Sequence, residues 1–386
     1  DGIRDKLVTG VQTCALPIFL HAWHDQRAEV DQAGSRLVQG LLEASRPPAA
    51  GDLPDADVLD AAVAALQVRM DGRHGGWGAA PKFPQPMVVE FLLRRAAAGD
   101  KRALPMVNLA LDRMAAGGLR DQLGGGFHRY ATDDVWLVPH FEQMLYDQAQ
   151  LARAYLHAWS LEGQTAGAWR DVAVGVLDYV LRELATADGG FAASQDADTD
   201  GEEGATFTWT AGEVQAALTD PAGALPAGTA ELFAAAYDVT EGGNWEGRTI
   251  LRRVRSSDDL AAVFGLAPDD VADRLAAARA RLHAVRQGRP QPMRDDKVLA
   301  AWNGLMIGTL AEASRLFGAA DGPAGRDRAA RYRTAAVRAA ECVTGGLLRD
   351  GTQLRRSWKD GRAAGAAVLE DYADLDRKST RLNSSH

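Results

Sequence analysis

The sequence predicts an all-α fold, an α/α toroid of helical hairpins with a few short β-hairpins in its loops. Three observations predict it. Most of the chain carries apolar residues at helical spacing. A glycine pair followed by a large residue recurs at Trp77, Phe127, Phe191, Trp245 and Leu347, with separations of 50, 64, 54 and 102 residues, the last close to two periods. The connections between helices are long, acidic and aromatic-rich, as in GGFAASQDADTDGEEGATFTWT. A two-helix unit repeating at this period means an array in which each unit buries its apolar face against its neighbours. Long irregular loops surround sites more often than they join solenoid turns, which favours a ring of inner and outer helices.

Each element follows from local pattern. In RAEVDQAGSRLVQGLLEA, Val30, Ala33, Leu37, Val38, Leu41 and Leu42 recur at helical spacing until RPPAAGDLP breaks the chain. Further helices are predicted over about 55–71, 86–98, 102–117, 141–161, 166–185, 228–236, 268–286, 295–317 and 325–343. Strand signals are confined to ATFTWT (205–210), TILRRV (249–254) and TQLRRSW (352–358).

The two ends differ in character from the rest. Val8 to Ile18 and Asp376 to His386 read back, codon for codon, into the adapter oligonucleotides ligated to short-read sequencing fragments, and Asp1 to Asp5 into the flow-cell end of the same adapter. Residues 1–18 and 376–386 are therefore expected to be untemplated by a gene and to pack against nothing. If so, 19–375 is an internal fragment.

Composition narrows the function classes. The chain holds 52 acids against 43 bases, a net charge of −9, and the two ends carry more bases than acids. Such acidity argues against a nucleic-acid or anionic-membrane surface. No apolar run approaches the roughly 18 residues of a membrane span, so a cytoplasmic location is expected. The excess of arginine over lysine, with abundant alanine and glycine, points to a GC-rich bacterial gene. Of the two cysteines only Cys342 lies outside the ends, too few for a disulfide framework or a CxxC pair.

Four stretches concentrate polar residues that helix packing does not require. In GGGFHRYATDDVWLVPHFEQMLYDQAQ, His128, Arg129, Trp136 and His140 precede a helix that Pro139 is expected to open. His140 and Asp147 then share one helical stripe, where a mid-helix Asp needs a partner or a cavity. In SQDADTDGEEG, Asp196, Asp198 and Asp200 match half of an EF-hand loop, but Phe207 stands where a bidentate Glu is needed. No metal or cofactor is expected there, and the carboxylates, Glu203 among them, are either a solvated turn or acids and bases of a cavity. In RPQPMRDDKVLAAWNGLM, Asp295 and Asp296 are expected to open a helix, where its dipole favours acids. Capping does not call for Arg294, Lys297, Trp302 and Asn303 nearby. Finally, LEDYADL offers Asp371 and Tyr372. Paired carboxylates, imidazoles and tryptophans are the equipment of sugar chemistry.

Taken together, GGWGAAPKFPQP, DQLGGGFHRYATDDVWLVPHFEQMLYD, SQDADTDGEEG, MRDDKVLAAWNGLM and LEDYADL resemble the spermatogenesis-associated protein 20-like (YyaL-type) thioredoxin-domain family. The likeness runs in order through about 20–375. It implies an N-terminal thioredoxin-like domain, of which 19–50 would be the last helix plus linker, and a toroid similar to six-hairpin glycosidases and N-acylglucosamine 2-epimerases over 51–375, lacking its final hairpins. Epimerases of the related fold use a histidine pair, for which His128 and His140 are the local candidates.

Two functions are therefore expected to compete. One is a carbohydrate-active toroid, epimerase-like or glycosidase-like, with His128, His140, Asp295 and Asp296 as acid and base. Arg129, Trp136, Asp147, Asp196, Asp198, Glu203, Arg294, Lys297, Trp302, Asn303, Asp371 and Tyr372 would bind the sugar. The other is a non-catalytic substrate- or partner-binding module serving the thioredoxin-like domain. In the first case the residues that precede the helices near His140 and Asp295 should converge on one cavity mouth.

Overall fold

The computed structural model describes residues 23–46, 56–163, 167–219, 225–320 and 322–383. Residues 1–18 lie outside the described residues. The chain divides into two compact units, Asp1–Ala61 and Ala62–His386. In the first, helix α1 (Arg27–Ala44) buries none of its residues, and Leu37, Val38, Leu41 and Leu42 are exposed. Helix α2 (Ala56–Arg69) carries Val63, fully buried in the core of the second unit.

The second unit continues with α3 (Pro86–Ala97), α4 (Ala103–Ala116), α5 (Leu145–Glu162) and α6 (Gly167–Tyr179). Four helices follow, α7 (Ala211–Leu218), α8 (Thr229–Tyr237), α9 (Ser257–Phe264) and α10 (Pro268–Arg286), and then α11 (Ala300–Ala320), α12 (Gly322–Leu347) and α13 (Leu369–Asn383). Helices α3, α5, α11 and α13 pack side by side in that order, while α4, α6 and α12 each lie against the inner helix that precedes them. An inner row backed by outer helices is the α/α toroid arrangement. Helix α5 shows why it sits inside. Its run of Ala, Leu and Gln suits a helix, and Leu145, Leu151, Tyr155 and Leu156 are fully buried on it. Helix α13 continues through residues 376–383, the segment expected to stand apart from the fold.

The glycine marks are one structural device used three times. After α2, α4 and the π-helical turn that ends α6, Met70, Arg120 and Ala185 bridge to Trp77, Phe127 and Phe191. In each loop the first residue past the bridge donates its amide to a glycine carbonyl: Asp71 to Gly76, Asp121 to Gly126 and Thr186 to Gly190, at 2.9–3.0 Å. Gly75, Gly125 and Gly189 have φ of +69°, +95° and +94°, a region in which a side chain is strained. The loops after α4 and α6 leave an outer helix and lead toward the next inner one, so they gather at one end of the array. The other two marks differ. Trp245 closes on Arg248, and Gly345–Leu347 lies inside α12.

Helix starts are where expectation and structure part. The helices expected from 141 and 295 begin at Leu145 and Ala300, because the preceding residues are taken up in strand pairing. Strands β1 (Tyr130–Ala131) and β2 (Pro139–His140) form a hairpin, so Pro139 opens no helix. β3 (Gln143–Met144), β4 (Ser194–Gln195) and β7 (Arg294–Asp295) form a three-stranded sheet, and β5 (Asp198–Thr199) pairs with β6 (Glu202–Glu203). Asp295 therefore caps no helix. β8 (Val298–Leu299) joins β10 (Gln353–Lys359), which also pairs with β9 (Leu348–Arg349) and β11 (Arg362–Ala366). The expected strands at 205–210 and 249–254 shrink to one bridge, Trp209 to Thr249. A turn on the Gly204 carbonyl coils the first, and the Asn244 side chain binds both backbone groups of Ile250 in the second.

Helices α7 and α9 were not expected, although Thr210 with Glu213 and Ser256 with Asp259 each form a capping box that the spacing encodes. With α8 and α10 they enclose a core of their own, built on Trp209, Phe233, Leu260 and Leu275. No helix among the described residues is long and apolar enough to cross a membrane.

A bidentate ion pair ties this helical cluster to the loop after α4. Arg286 donates at 2.8 and 2.7 Å to Asp121, and both side chains are about 5 % exposed. Arg286→Ala leaves a buried carboxylate without its counter-charge and is expected to cost about 3–5 kcal/mol in urea unfolding. A loss below about 1 kcal/mol would assign the pair no structural role.

Candidate functional site at the inner-helix rim

The rim is assembled by short strands just before inner helices. The β1–β2 register sets Tyr130 against His140, whose rings stack at 5.1 Å. His140 Nδ1 lies 2.8 Å from Glu203 Oε1, and its Nε2 is 3.7 Å from Glu142 Oε2. Arg129 donates to the same Glu142 oxygen at 3.0 Å. In the β5–β6 hairpin Glu203 faces Asp198. Burial, then the charges of Asp196 and Glu203, raise the Asp198 pKa, while His140 lowers it. An imidazole is thus held by one carboxylate, with a second beside its other nitrogen.

Asp147 lies in the first turn of α5 and is buried. Burial raises its pKa to about 8, against the opposing effects of Arg129 and the Tyr146 hydroxyl, so this carboxyl is largely protonated at neutral pH. Its Oδ2 has no hydrogen-bond partner among the described residues, and neither has either amide atom of the fully buried Gln143. Tyr146 meets Trp302 edge to face at 4.8 Å, which joins the starts of α5 and α11. The sequence thus brings His140, Glu203, Asp198, Arg129, Asp147 and Trp302 into one linked neighbourhood.

Other candidates serve the scaffold. Trp136 is fully buried, donates its indole N–H to the His74 carbonyl at 2.9 Å and lies under Lys82, so it has no face for a sugar. His128 is 2 % exposed, hydrogen-bonded through Nδ1 to the Phe141 carbonyl and packed edge-on to Phe141 and Phe207. Burial lowers its pKa to about 4, so it stays neutral within the wall. Asn303 spends its amide on both backbone groups of Phe191 and on the Leu299 carbonyl. Asp371, also buried, accepts from the amides of Ala301 and Val368. Tyr372 accepts from the Leu354 amide. Asp295 and Asp296 pair with Lys297 and Arg294 at 2.9 and 2.6 Å, and Arg294 also binds the carbonyls of Glu183 and Ala185. Asp196 forms a backbone bond to Met293 beside β4. Backbone pairing brings Asp295 to Ser194, yet these side chains are spent on one another in exposed ion pairs.

No family model matches the chain. It is 37 % identical over 343 residues to human spermatogenesis-associated protein 20, covering 81 % of this chain and 42 % of that protein. Its rat counterpart is 39 % identical over 272 residues, covering 64 % and 34 %. The family resemblance is supported over most of the chain. An uncharacterised Caenorhabditis elegans protein is 29 % identical, covering 92 % of this chain and 50 % of its own length. The chain thus spans half or less of the length of these relatives. Among solved structures it is similar to a sugar epimerase from a ruminal bacterium (11 % identity, TM-score 0.32, 83 % and 82 % of the two chains). A D-mannose isomerase gives 10 % identity and a TM-score of 0.35, covering 86 % and 81 %.

Sequence reading missed a second polar cluster, between the inner helices. His157 on α5 lies 2.7 Å from Glu90 of α3 through Nδ1 and 2.8 Å from Glu312 of α11 through Nε2. Arg153, one turn earlier, donates to Glu312 at 3.2 Å. The signal was present: Glu90 interrupts the apolar run PMVVEFLL, and Arg153 and His157 share an i, i+4 stripe on a helix otherwise buried there. Burial opposes the charge on His157, but its hydrogen bonds to Glu312 and Glu90 outweigh it and raise the pKa to about 9. A histidine raised above its ordinary 6.5 contributes stability in full below that pH and loses it as pH climbs through 9. Thermal stability is therefore expected to fall between about pH 6.5 and 9, and His157→Gln to flatten that slope while lowering Tm at pH 6. An unchanged slope in the variant would remove His157 from this role.

Proposed function

We propose that this chain is the carbohydrate-active part of a spermatogenesis-associated protein 20-like protein. In this reading its rim moves a proton at the carbon beside the carbonyl of an open-chain reducing sugar, as an epimerase or isomerase does. The observation that carries the reading is the contrast between two groups linked through Arg129, Glu142 and Tyr146. His140 is oriented by Glu203, with Glu142 beside its second nitrogen, while Asp147 is held in its acid form by burial. An imidazole held between carboxylates and a carboxyl kept in its acid form are the equipment of acid–base catalysis. His140 Nε2 would take the C–H proton and Asp147 would donate a hydrogen bond to the carbonyl oxygen as it gains charge. Tyr146 and Trp302 offer an aromatic surface, and Asp147 Oδ2, without a hydrogen-bond partner among the described residues, offers a polar contact. The likeness to epimerases and isomerases in fold is analogy only. The reading requires no cofactor, and it takes the protein as bacterial and cytoplasmic, joined to a thioredoxin-like domain outside this chain.

The same unpaired buried atoms favour a second reading, a module that binds a sugar or a partner without turning it over. Solvent-deuterium exchange into a panel of aldoses and ketoses, followed by NMR on the full-length protein, separates the two. Exchange is expected, with His140→Ala reducing it about 10²–10⁴-fold. Binding without exchange on any sugar would favour the module, and wild-type exchange by His140→Ala would exclude His140 as the base.

Asp147 gives an independent check. A carboxyl whose folded pKa lies above its unfolded value of 3.8 weakens the fold as pH rises from 3.8 toward 8. Asp147→Asn is therefore expected to raise stability at pH 7 by at least ~1 kcal/mol while lowering turnover. Equal turnover in the variant would strip Asp147 of its role as acid.

A further inference from the structure

A groove of about 660 Å³ runs between the outer helices α4 and α6 and the helical cluster α8–α10. Four arginines line it; Arg182 pairs with Glu183, and the other three have no carboxylate partner among the described residues, although the chain carries an excess of acid. Arg120 follows α4; its Nε is buried and without a hydrogen-bond partner. Arg279 of α10 donates to the Tyr237 hydroxyl at 3.0 Å. Arg253 binds the Arg255 carbonyl and the Ser257 hydroxyl, with its guanidinium 5.4 Å from the centre of the Tyr237 ring. Tyr237 thus sits among like charges.

The acids beside them, three of which line the same groove, are hydrogen-bonded to other groups. Asp121, adjacent in sequence to Arg120, is taken by Arg286. Asp112 accepts from the Trp169 indole, Asp171 pairs with Arg170, and Asp178 pairs with Arg331 and Tyr332. A partly buried guanidinium left among other cations costs free energy unless an anion joins it. Burial, then the charge of Arg279, already lower the Arg120 pKa. Three planar donors around one concavity match the oxygens of a phosphate group, which guanidinium binds through paired hydrogen bonds.

We propose that this groove binds the phosphate group of a small molecule, with Arg120 and Arg279 as its principal ligands and Arg253 completing the charge. The site is separate from the rim and does not depend on how the rim is read.

Isothermal titration of the full chain at constant ionic strength tests it, with inorganic phosphate, a hexose 6-phosphate and the unphosphorylated hexose as probes. Phosphate and hexose phosphate are expected to bind and the bare hexose not to bind at this groove. Tighter binding of the hexose phosphate would mark a phosphorylated metabolite as the ligand, and equal binding would mark free phosphate. Arg279→Gln, on a half-exposed side chain, is expected to weaken phosphate binding roughly tenfold or more, as is Arg120→Gln, while His140→Ala leaves it unchanged. No heat with either phosphate at about 10 mM, where even a site of ~1 mM Kd would fill, overturns the proposal. So does phosphate binding that survives both arginine substitutions or is lost in His140→Ala.

Discussion

The interior of this protein depends on one carboxylate. Glu312 of α11 holds both Arg153 and His157 of α5, and His157 reaches across to Glu90 of α3, so three inner helices are tied along a line through the array. Apolar packing alone would let such helices slide or rotate, because Ala and Leu ridges fit in more than one register. Directional bonds between helices penalise the alternatives. Removing one partner would leave the others charged and buried, which is why such clusters fix geometry more than they add stability.

With the inner row fixed, its N-terminal ends share one side, and the rim follows. The glycine loops after α4 and α6 leave the outer helices there, and the β3–β4–β7 pairing joins the segment before α5 to the acid loop and to the segment before α11. Residues more than 150 positions apart in sequence, Met144 and Asp295, become second neighbours through Ser194. The helix-start residues Tyr146, Asp147 and Trp302 are then presented together. Asp147 illustrates the cost, since a carboxyl under such desolvation weakens the fold at neutral pH and is the kind of residue kept for chemistry.

The helical cluster α7–α10 is an insertion between the second and third inner helices, with its own core and a buried ion pair, Arg286 to Asp121, reaching back to the α4 loop. Asp121 is bonded to Arg286, and the neighbouring Arg120 has no carboxylate hydrogen-bonded to it in the groove beside the pair.

Helical periodicity and the glycine period determined the fold class, because both are written in local residue order: apolar spacing sets the buried face, and positive φ demands glycine. The chemistry of the rim was legible in part. His140, Glu203 and Asp198 stood out as polar residues in loops, and structure links them through a 2.8 Å bond and a strand register. The burial of Trp136, His128 and Asn303, by contrast, was decided by tertiary contacts with His74, Phe141 and Phe191, which no spacing reveals. The same holds for the helix starts at Leu145 and Ala300, set by strand partners from distant segments. Sequence fixes a residue's own propensity and its neighbours on the same element. Whether a polar side chain ends as a catalyst, a cap or part of a wall depends on partners brought from elsewhere in the chain, and those only the packed structure supplies.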